Sequence, residues 1–243
     1  MSKEIAIAGR KDISRFIVHL TRDDTNDFSN GANARRNLIK IIAKKTVYAY
    51  KPHCLFNKKL MTVDKTIAEK FKVACFTETP LDQIHLLTRE IPGRNVVLSP
   101  YGIVFNRSFM VKSGAQPAIY INCYNNISHY RNSAFKLFDI FVQNQKSGLD
   151  DQDLTILPLI NKIDEKYDFS WEREWRVVGS LKFKASDIVA VILPEKGEND
   201  IKSALEKGGI ATISPTWTYE QIVSELSRQQ RSTKSLSKVS DID

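Results

Sequence analysis

Short apolar runs rich in β-branched residues, separated by polar segments, dominate the hydrophobic pattern of this chain. They predict strands over residues 15–21, 73–77, 102–105, 118–122 and 188–193. In residues 34–45, Leu38, Ile41 and Ile42 recur at helical spacing, which predicts an amphipathic helix with a basic outer face. Further helices are predicted over about 132–147 and 199–207. This irregular order of strands and helices indicates an α+β fold.

The pattern shows no convincing linker before residue 226, so we predict a single α+β domain over residues 1–226. Its last helix is expected to end near Leu226. Residues 227–243 are rich in Ser, Lys and Gln without periodicity, which predicts a disordered polar tail. Residues 154–166 are expected to be helical, with an interruption near Pro158.

The composition excludes several classes of protein. The 243 residues are 42% hydrophobic, yet no run approaches the roughly 20 apolar residues of a membrane helix. No apolar signal region follows the N-terminus. The three cysteines are widely spaced and fit neither a disulfide framework nor a metal-binding pattern. We therefore predict a cytoplasmic protein with no membrane contact and no metal.

The net charge of +8 is concentrated in the basic segment 34–72, which holds eleven Lys and Arg residues and two acidic ones. Tyr48, Tyr50 and Phe56 lie within it. Basic patches with interspersed aromatic rings are typical of proteins that bind phosphate backbones and stacked bases. A solvated helix face followed by a Lys-rich loop would give the same pattern. The candidate nucleic-acid contacts are Arg35, Arg36, Lys40, Lys44, Lys45, Lys51, Lys58 and Lys59.

A second charged pattern lies in residues 170–178. We predict a strand over Glu172–Val178, in which Glu172, Glu174 and Arg176 share one face. Two neighbouring carboxylates are costly in a buried place unless a cation or a ligand compensates them. Such groups concentrate at chemical sites. An internal ion pair with Arg176 on a solvated face explains the pattern equally well.

Three other motifs place polar side chains on strands or at their ends. His19 and Thr21 share a face of the first strand, about 7 Å apart. Thr77 and Glu78 end a buried strand, and Tyr101 is expected at the mouth of the next one, where its ring could stack on a ligand. Each motif also has a structural interpretation: a core-edge histidine, a helix-capping turn, or a tyrosine that closes the core rim.

The order of these motifs carries more information than any one of them. A strand ends in His19-x-Thr21, a Cys-Phe-Thr-Glu-Thr-Pro-Leu segment covers 75–81, a strand begins with Tyr101-Gly102, and Glu-Arg-Glu-Trp-Arg covers 172–176. This series resembles the AbiGi-like abortive-infection proteins of bacterial phage resistance. The basic segment is particular to this chain. The resemblance implies a defence setting and a cognate toxin or antitoxin partner, without naming an activity.

A more distant resemblance is to ADP-ribosyltransferases, including the DarT-like toxins that modify nucleic acids. It implies split mixed β-sheets flanked by helices, NAD as a substrate rather than a resident cofactor, and RNA or DNA as the acceptor. These enzymes place a His-x-Thr motif on a first strand, a Thr or Tyr on a middle strand, and a Glu-x-Glu motif on a late strand. The matching residues are His19, Thr21, Thr77 or Tyr101, Glu172 and Glu174.

The resemblance also implies a role for each residue. Glu174 would stabilise the positive charge that develops on the ribose and would hold the 2′-hydroxyl. Glu172 would orient or deprotonate the acceptor. His19 and Thr21 would hold the ribose and the nicotinamide amide.

Two competing hypotheses belong to other classes. In a non-catalytic antitoxin or partner-binding component of an abortive-infection system, the carboxylates are structural and the basic segment binds RNA, DNA or an acidic partner. A metal-dependent nuclease would need Glu78, Glu172 and Glu174 to converge on a divalent ion. The nuclease is disfavoured, because no Lys or Asp completes a recognisable nuclease pattern.

Overall fold

The computed structural model describes residues 13–23, 32–51, 54–91, 97–126, 129–148, 154–166 and 168–234. The strands are β1 (Phe16–Arg22), β2 (Thr46–Val47), β3 (Val73–Thr77), β4 (Leu98–Asn106), β5 (Gln116–Pro117), β6 (Ile119–Asn122), β7 (Ile160–Ile163), β8 (Glu174–Val178), β9 (Leu181–Lys182), β10 (Ile188–Ile192) and β11 (Ala211–Ile213). The α-helices are α1 (Ala32–Lys44), α2 (Asn57–Leu60), α3 (Lys65–Glu69), α4 (Arg107–Lys112), α5 (His129–Lys146), α6 (Asn199–Lys207) and α7 (Tyr219–Lys234).

The chain forms two compact units, and each is assembled from separate stretches of sequence. The first unit contains residues 1–45, 78–110 and 183–243, and the second contains residues 46–77 and 111–182. Because both units are discontinuous, no linker-like composition marks their boundaries in the sequence. The prediction of one domain over residues 1–226 rested on the absence of such a linker.

A mixed sheet organises the first unit. β4 pairs antiparallel with both β1 and β10, and β11 pairs parallel with β10. α6 connects the two parallel strands, while α7 packs against β11 and α1 packs against β1 and β4. The sheet and the helices enclose an apolar core built around Val18, Ile84, Val104, Ile192, Ile213 and Ile222.

Within the first unit, β1 and β4 lie very close together at Gly102. Gly102 is the register partner of Leu20, next to an irregularity between Leu20 and Arg22. A Cβ atom at Gly102 would lie 2.5 Å from the carbonyl oxygen of His19 and 2.9 Å from Cδ2 of Leu20. Only glycine therefore fits this position of the Tyr-Gly motif, since any side chain would push the strands apart.

Four strand pairings among the described residues and an aromatic core build the second unit. β8 pairs antiparallel with both β3 and β5, β2 pairs antiparallel with β9, and β6 pairs parallel with β7. α5 covers a core in which the rings of Phe56 and Phe138 stack at 5.0 Å between centroids. Phe71 and Phe141 extend the cluster with an edge-to-face contact at 5.6 Å.

Two predicted elements outside residues 170–178 differ from the structure. Ile160–Ile163 is a strand and not part of a helix, because these residues pair with β6 along its whole length. The last helix runs to Lys234 rather than Leu226, so residues 227–234 of the predicted tail are helical. Arg228 supports this extension through ion pairs with Glu225 and Glu206. Residues 235–243 of that tail lie outside the described residues.

The architecture confirms the coarse part of the expected fold: it is mixed α and β, with a mixed sheet flanked by helices. Across the described ranges, no helix is both long and apolar enough to span a membrane.

Candidate functional site

A buried ion pair at the start of β8 forms the centre of the second unit's polar site. Nε of Arg176 donates to Oε1 of Glu174 at 3.0 Å, and Nη2 donates to Oε2 at 2.9 Å. Nη1 of Arg176 donates to the carbonyl oxygen of Pro158 at 2.9 Å. The guanidinium therefore binds both carboxylate oxygens in the bidentate geometry that makes Arg–carboxylate pairs strong.

The two partners differ in exposure. The side chain of Arg176 is 1% exposed, whereas that of Glu174 is 15% exposed. Burial alone would lower the pKa of Arg176, but the Glu174 carboxylate together with Cys75 and Cys54 outweighs it, and the pKa is raised. The guanidinium of Arg176 is thus charged, and Glu174 retains an edge that solvent or a ligand can reach.

Two further polar side chains surround that edge. The hydroxyl of Tyr120 and the amide Nδ2 of Asn161 each lie 3.4 Å from Oε2 of Glu174. Burial raises the pKa of Tyr120, with a further contribution from the Glu174 charge, so its hydroxyl is kept protonated as a donor. Tyr120 and Asn161 lie on the neighbouring strands β6 and β7. Nothing in their sequence spacing relative to Glu174 indicates this convergence.

The predicted strand over Glu172–Val178 is wrong at its first two residues. Ser170–Glu172 is a turn of 3-10 helix, and Arg173 has a left-handed φ of 48°. The left-handed residue breaks the two-residue alternation of side chains, so β8 begins at Glu174. Glu172 therefore does not share a strand face with Glu174 and Arg176, and the expected carboxylate pair on one face is absent.

Thr77 is the predicted site residue that the structure places beside Glu174. The two are direct register partners across the antiparallel pair of β3 and β8. The Thr77 hydroxyl donates to the main-chain carbonyl oxygen of Glu172 at 2.6 Å. The second unit thus brings Thr77, Glu174 and the backbone of Glu172 together, and the side chain of Thr77 is largely buried.

The other three predicted residues, Thr21, Tyr101 and His19, belong to the first unit. The Thr21 hydroxyl lies 2.9 Å from the carbonyl oxygen of Ala34 and 3.2 Å from that of Tyr101. Tyr101 lies inside β4 and not at its mouth, and its hydroxyl donates to Glu198 at 2.7 Å. Burial raises the pKa of Tyr101. Tyr101 therefore does not provide the exposed ring that was expected to stack on a ligand. The remaining residue, His19, is half-buried in β1.

Arg35 is held by carboxylates of its own unit. Its Nε lies 2.8 Å from Glu198 and its Nη2 lies 2.6 Å from Asp200. Hydrogen bonds to these two carboxylates raise the pKa of Arg35. Two anions neutralise this cation, so it ties α1 to the start of α6 instead of offering its charge to a phosphate. Glu198 lies 163 positions further along the chain, so local sequence could not reveal this contact.

The neighbouring cations of α1 form a different surface, which we call the basic face. Arg36, Lys40 and Lys44 are exposed and follow one another at intervals of four residues. Residues four apart lie on the same side of a helix, about 6 Å apart along its axis. The sequence of α1 contains no acidic residue, and Lys45 extends the charge just beyond its end.

In the second unit, the predicted nucleic-acid contacts fall into two groups. Lys51 and Lys58 are exposed. Lys59 pairs with Asp139, and its ammonium lies 5.3 Å from the ring centre of Phe135. Phe56 is fully buried and cannot stack on a base.

The described part of the chain contains no group of three or more His, Cys, Asp or Glu residues arranged to hold a metal ion.

No protein-family model matches this chain, and no curated protein and no solved structure matches it either. The resemblances to abortive-infection proteins and ADP-ribosyltransferases accordingly rest on sequence motifs alone.

Proposed function

We propose that the protein binds nucleic acid, RNA or DNA, through the basic face of α1. The observation that carries the proposal is the exposed row of Arg36, Lys40 and Lys44 on a helix without acidic residues. Such a row presents positive charges at regular intervals along one side of the helix. A phosphate backbone carries negative charges that also repeat at regular intervals, so it is a suitable partner for this row. Binding releases the counterions condensed on the nucleic acid, which makes this interaction strongly dependent on salt.

Neutralising the basic face should weaken binding at low salt and flatten its salt dependence. In the variant Arg36→Gln/Lys40→Gln/Lys44→Gln, the slope of log K against log salt should fall by about 1 for each phosphate that is no longer neutralised, or about 3 in all. Fluorescence anisotropy with labelled DNA and RNA, measured between low and physiological salt, tests this expectation.

Lys196, Lys202 and Lys207 provide a matched control in the same unit. All three are exposed, so Lys196→Gln/Lys202→Gln/Lys207→Gln changes the net charge by the same amount at another place. This control should retain the wild-type slope. Equal losses of affinity in the two triple variants would show that net charge alone attracts the nucleic acid, and the basic face would then not be its binding site.

A second function is favoured by the surroundings of Glu174: transfer of ADP-ribose from NAD to the bound nucleic acid. Glu174 is fixed in direction by the guanidinium of Arg176 and is open on one edge. In the reaction the bond from ribose C1′ to the nicotinamide nitrogen breaks, a bond from C1′ to the acceptor forms, and the acceptor loses its proton. A fixed carboxylate stabilises the developing oxocarbenium charge. An ADP-ribosyltransferase-like arrangement of the sheets and a phage-defence setting belong to this proposal.

Replacing Glu174 by Gln should reduce transfer about 10²- to 10³-fold, the usual effect of removing one electrostatic stabiliser of a transition state. Release of nicotinamide and labelling of DNA and RNA with radioactive NAD measure the reaction. Glu174→Asp keeps the charge for Arg176 but draws it back from the ribose, so it should stay folded and still lose activity. Full transfer by both folded variants would remove Glu174 from the mechanism.

The non-catalytic alternative shares the basic face and differs in what Glu174 does. Induction of an enzyme toxin should arrest growth in a way that Glu174→Gln relieves. An antitoxin should instead leave growth unchanged and co-purify with the product of a neighbouring gene, with no NAD turnover. Mass spectrometry of cellular DNA, RNA and protein after induction would identify any acceptor.

A further inference from the structure

A short segment of the second unit holds two tyrosines in solvent on a fixed backbone. Thr46 and Val47 pair with Lys182 and Leu181. Further along, the main chains of Tyr50 and Val73 exchange two hydrogen bonds, at 3.0 and 2.9 Å. The segment is thus tied to neighbouring backbone at both ends.

The side chains of this segment divide between core and solvent. Val47 is fully buried, whereas Tyr48 is 37% exposed and Tyr50 is 65% exposed. Residues 48 and 49 lie between the end of β2 and the bridge of Tyr50 with Val73, so both tyrosines are carried by backbone that is tied on either side. The backbone amide of Ala49, which lies between the tyrosines, donates to the hydroxyl of Ser180 at 2.9 Å. The tyrosines therefore form a preorganised pair, and little conformational entropy is lost if a ligand covers them.

The charged residues within this segment and within the segment that pairs with it are positive, although the Glu69 carboxylate lies within electrostatic reach of Lys51. Lys51 follows Tyr50, and Lys182 is the register partner of Thr46; both lysines are exposed. The sequence contains no acidic residue in 46–51 or in 179–182. Exposed aromatic rings flanked by cations and without carboxylates in these segments are the combination that binds single strands, because each base has a face to stack and each phosphate a charge to pair.

We propose that Tyr48 and Tyr50 form a base-stacking platform and that the nucleic acid bound by this protein is single-stranded. This inference rests on the proposed nucleic-acid function and specifies its substrate class. A duplex hides the faces of its bases, so it cannot use the platform. A single strand offers bases to the two rings while its backbone lies along Lys51 and Lys182.

The test compares three forms of the full chain for binding to labelled oligo(dT), oligo(U) and a DNA duplex of equal length. Tyr48→Phe/Tyr50→Phe keeps both rings and should bind single strands within about twofold of wild type. Tyr48→Leu/Tyr50→Leu keeps apolar bulk but removes the rings. Its affinity should fall about 5- to 150-fold for each base that stacks, while its affinity for the duplex stays unchanged.

The two kinds of failure are distinguishable. If the Leu variant bound single strands with the affinity of wild type, the proposed stacking platform would be excluded, while the proposed nucleic-acid function would remain. A wild-type protein that binds none of the three probes would overturn the proposed function itself, and the platform with it. A second copy of the chain could instead cover the rings. In that case sedimentation would show a dimer that the Leu variant dissociates while binding of single strands is retained, and the platform would again be excluded.

Discussion

Replacing Glu174 by Ala is expected to lower the free energy of unfolding by about 3–5 kcal/mol, the usual cost of leaving one charge of a buried pair without its partner. The reason is the burial of Arg176, whose side chain is only 1% exposed. Its guanidinium donates hydrogen bonds to both carboxylate oxygens of Glu174 and to the carbonyl oxygen of Pro158. The guanidinium cannot become neutral by losing its proton, since the pKa of arginine is far above neutral pH. Thermal and urea unfolding of both proteins measure the difference.

A paired replacement separates the charge from the packing. In Glu174→Leu/Arg176→Met neither charge remains, and apolar side chains of similar volume often replace a buried pair at little cost. This double variant should therefore be more stable than Glu174→Ala, although the carbonyl of Pro158 loses its donor. If the double variant were the less stable of the two, the remaining charge of Arg176 would not be the cause of the destabilisation. The comparison also means that reduced activity in Glu174→Ala reports on folding as much as on chemistry. Glu174→Gln likewise leaves the Arg176 charge without its partner, so Glu174→Asp, which keeps a carboxylate, is the most informative change.

Gly102→Ala is expected to destabilise the first unit by about 1–3 kcal/mol, as overpacking of a close-packed core does. The added methyl group would lie 2.5 Å from the carbonyl oxygen of His19. Because that atom belongs to the backbone, only a shift of β1 against β4 can relieve the contact. At about 2–4 °C per kcal/mol for a protein of this size, the melting temperature should fall measurably. Calorimetry is the direct measurement.

Gly208 offers the comparison for this substitution. It lies just after α6, and the nearest atom that a Cβ there would meet is the carbonyl oxygen of Leu205, at 3.3 Å. Gly208→Ala should therefore cost clearly less than Gly102→Ala. Trimming Leu20 to Ala in the Gly102→Ala background should not restore stability, since the closest contact is with backbone. Rescue by that change would mean that the Leu20 side chain, and not the strand spacing, makes glycine necessary.

The elements that sequence pattern predicts correctly are those whose own residues determine them. β1, β3 and β10 are runs of apolar and β-branched residues, and α1 carries its apolar residues on one face. The errors arise where tertiary contacts outweigh local preference. Ile160–Ile163 becomes a strand because β6 offers a partner, and α7 continues to Lys234 with support from the ion pairs of Arg228.

The candidate site also combines features that local sequence predicts with features that only tertiary contacts decide. The pairing of Glu174 with Arg176 was one of the two interpretations that the spacing of these residues allowed. The left-handed backbone at Arg173 was not predictable, because arginine carries no signal for that conformation. Tyr120, Asn161 and Glu198 became site residues only through folding, which brings them to partners far away in sequence.

The sequence by itself determined the class of fold, the basic face of α1 and the concentration of positive charge in residues 34–72, since these follow from the order of apolar and charged residues. Only the tertiary structure decided which of the charges and rings face solvent. It pairs Arg35 with Glu198 and Asp200, fixes Glu174 against Arg176, buries Phe56, and leaves Tyr48 and Tyr50 in solvent. The physical reason is that a charge or a ring acts on a ligand only where folding leaves it within the ligand's reach, and contacts between residues distant in sequence decide where that is.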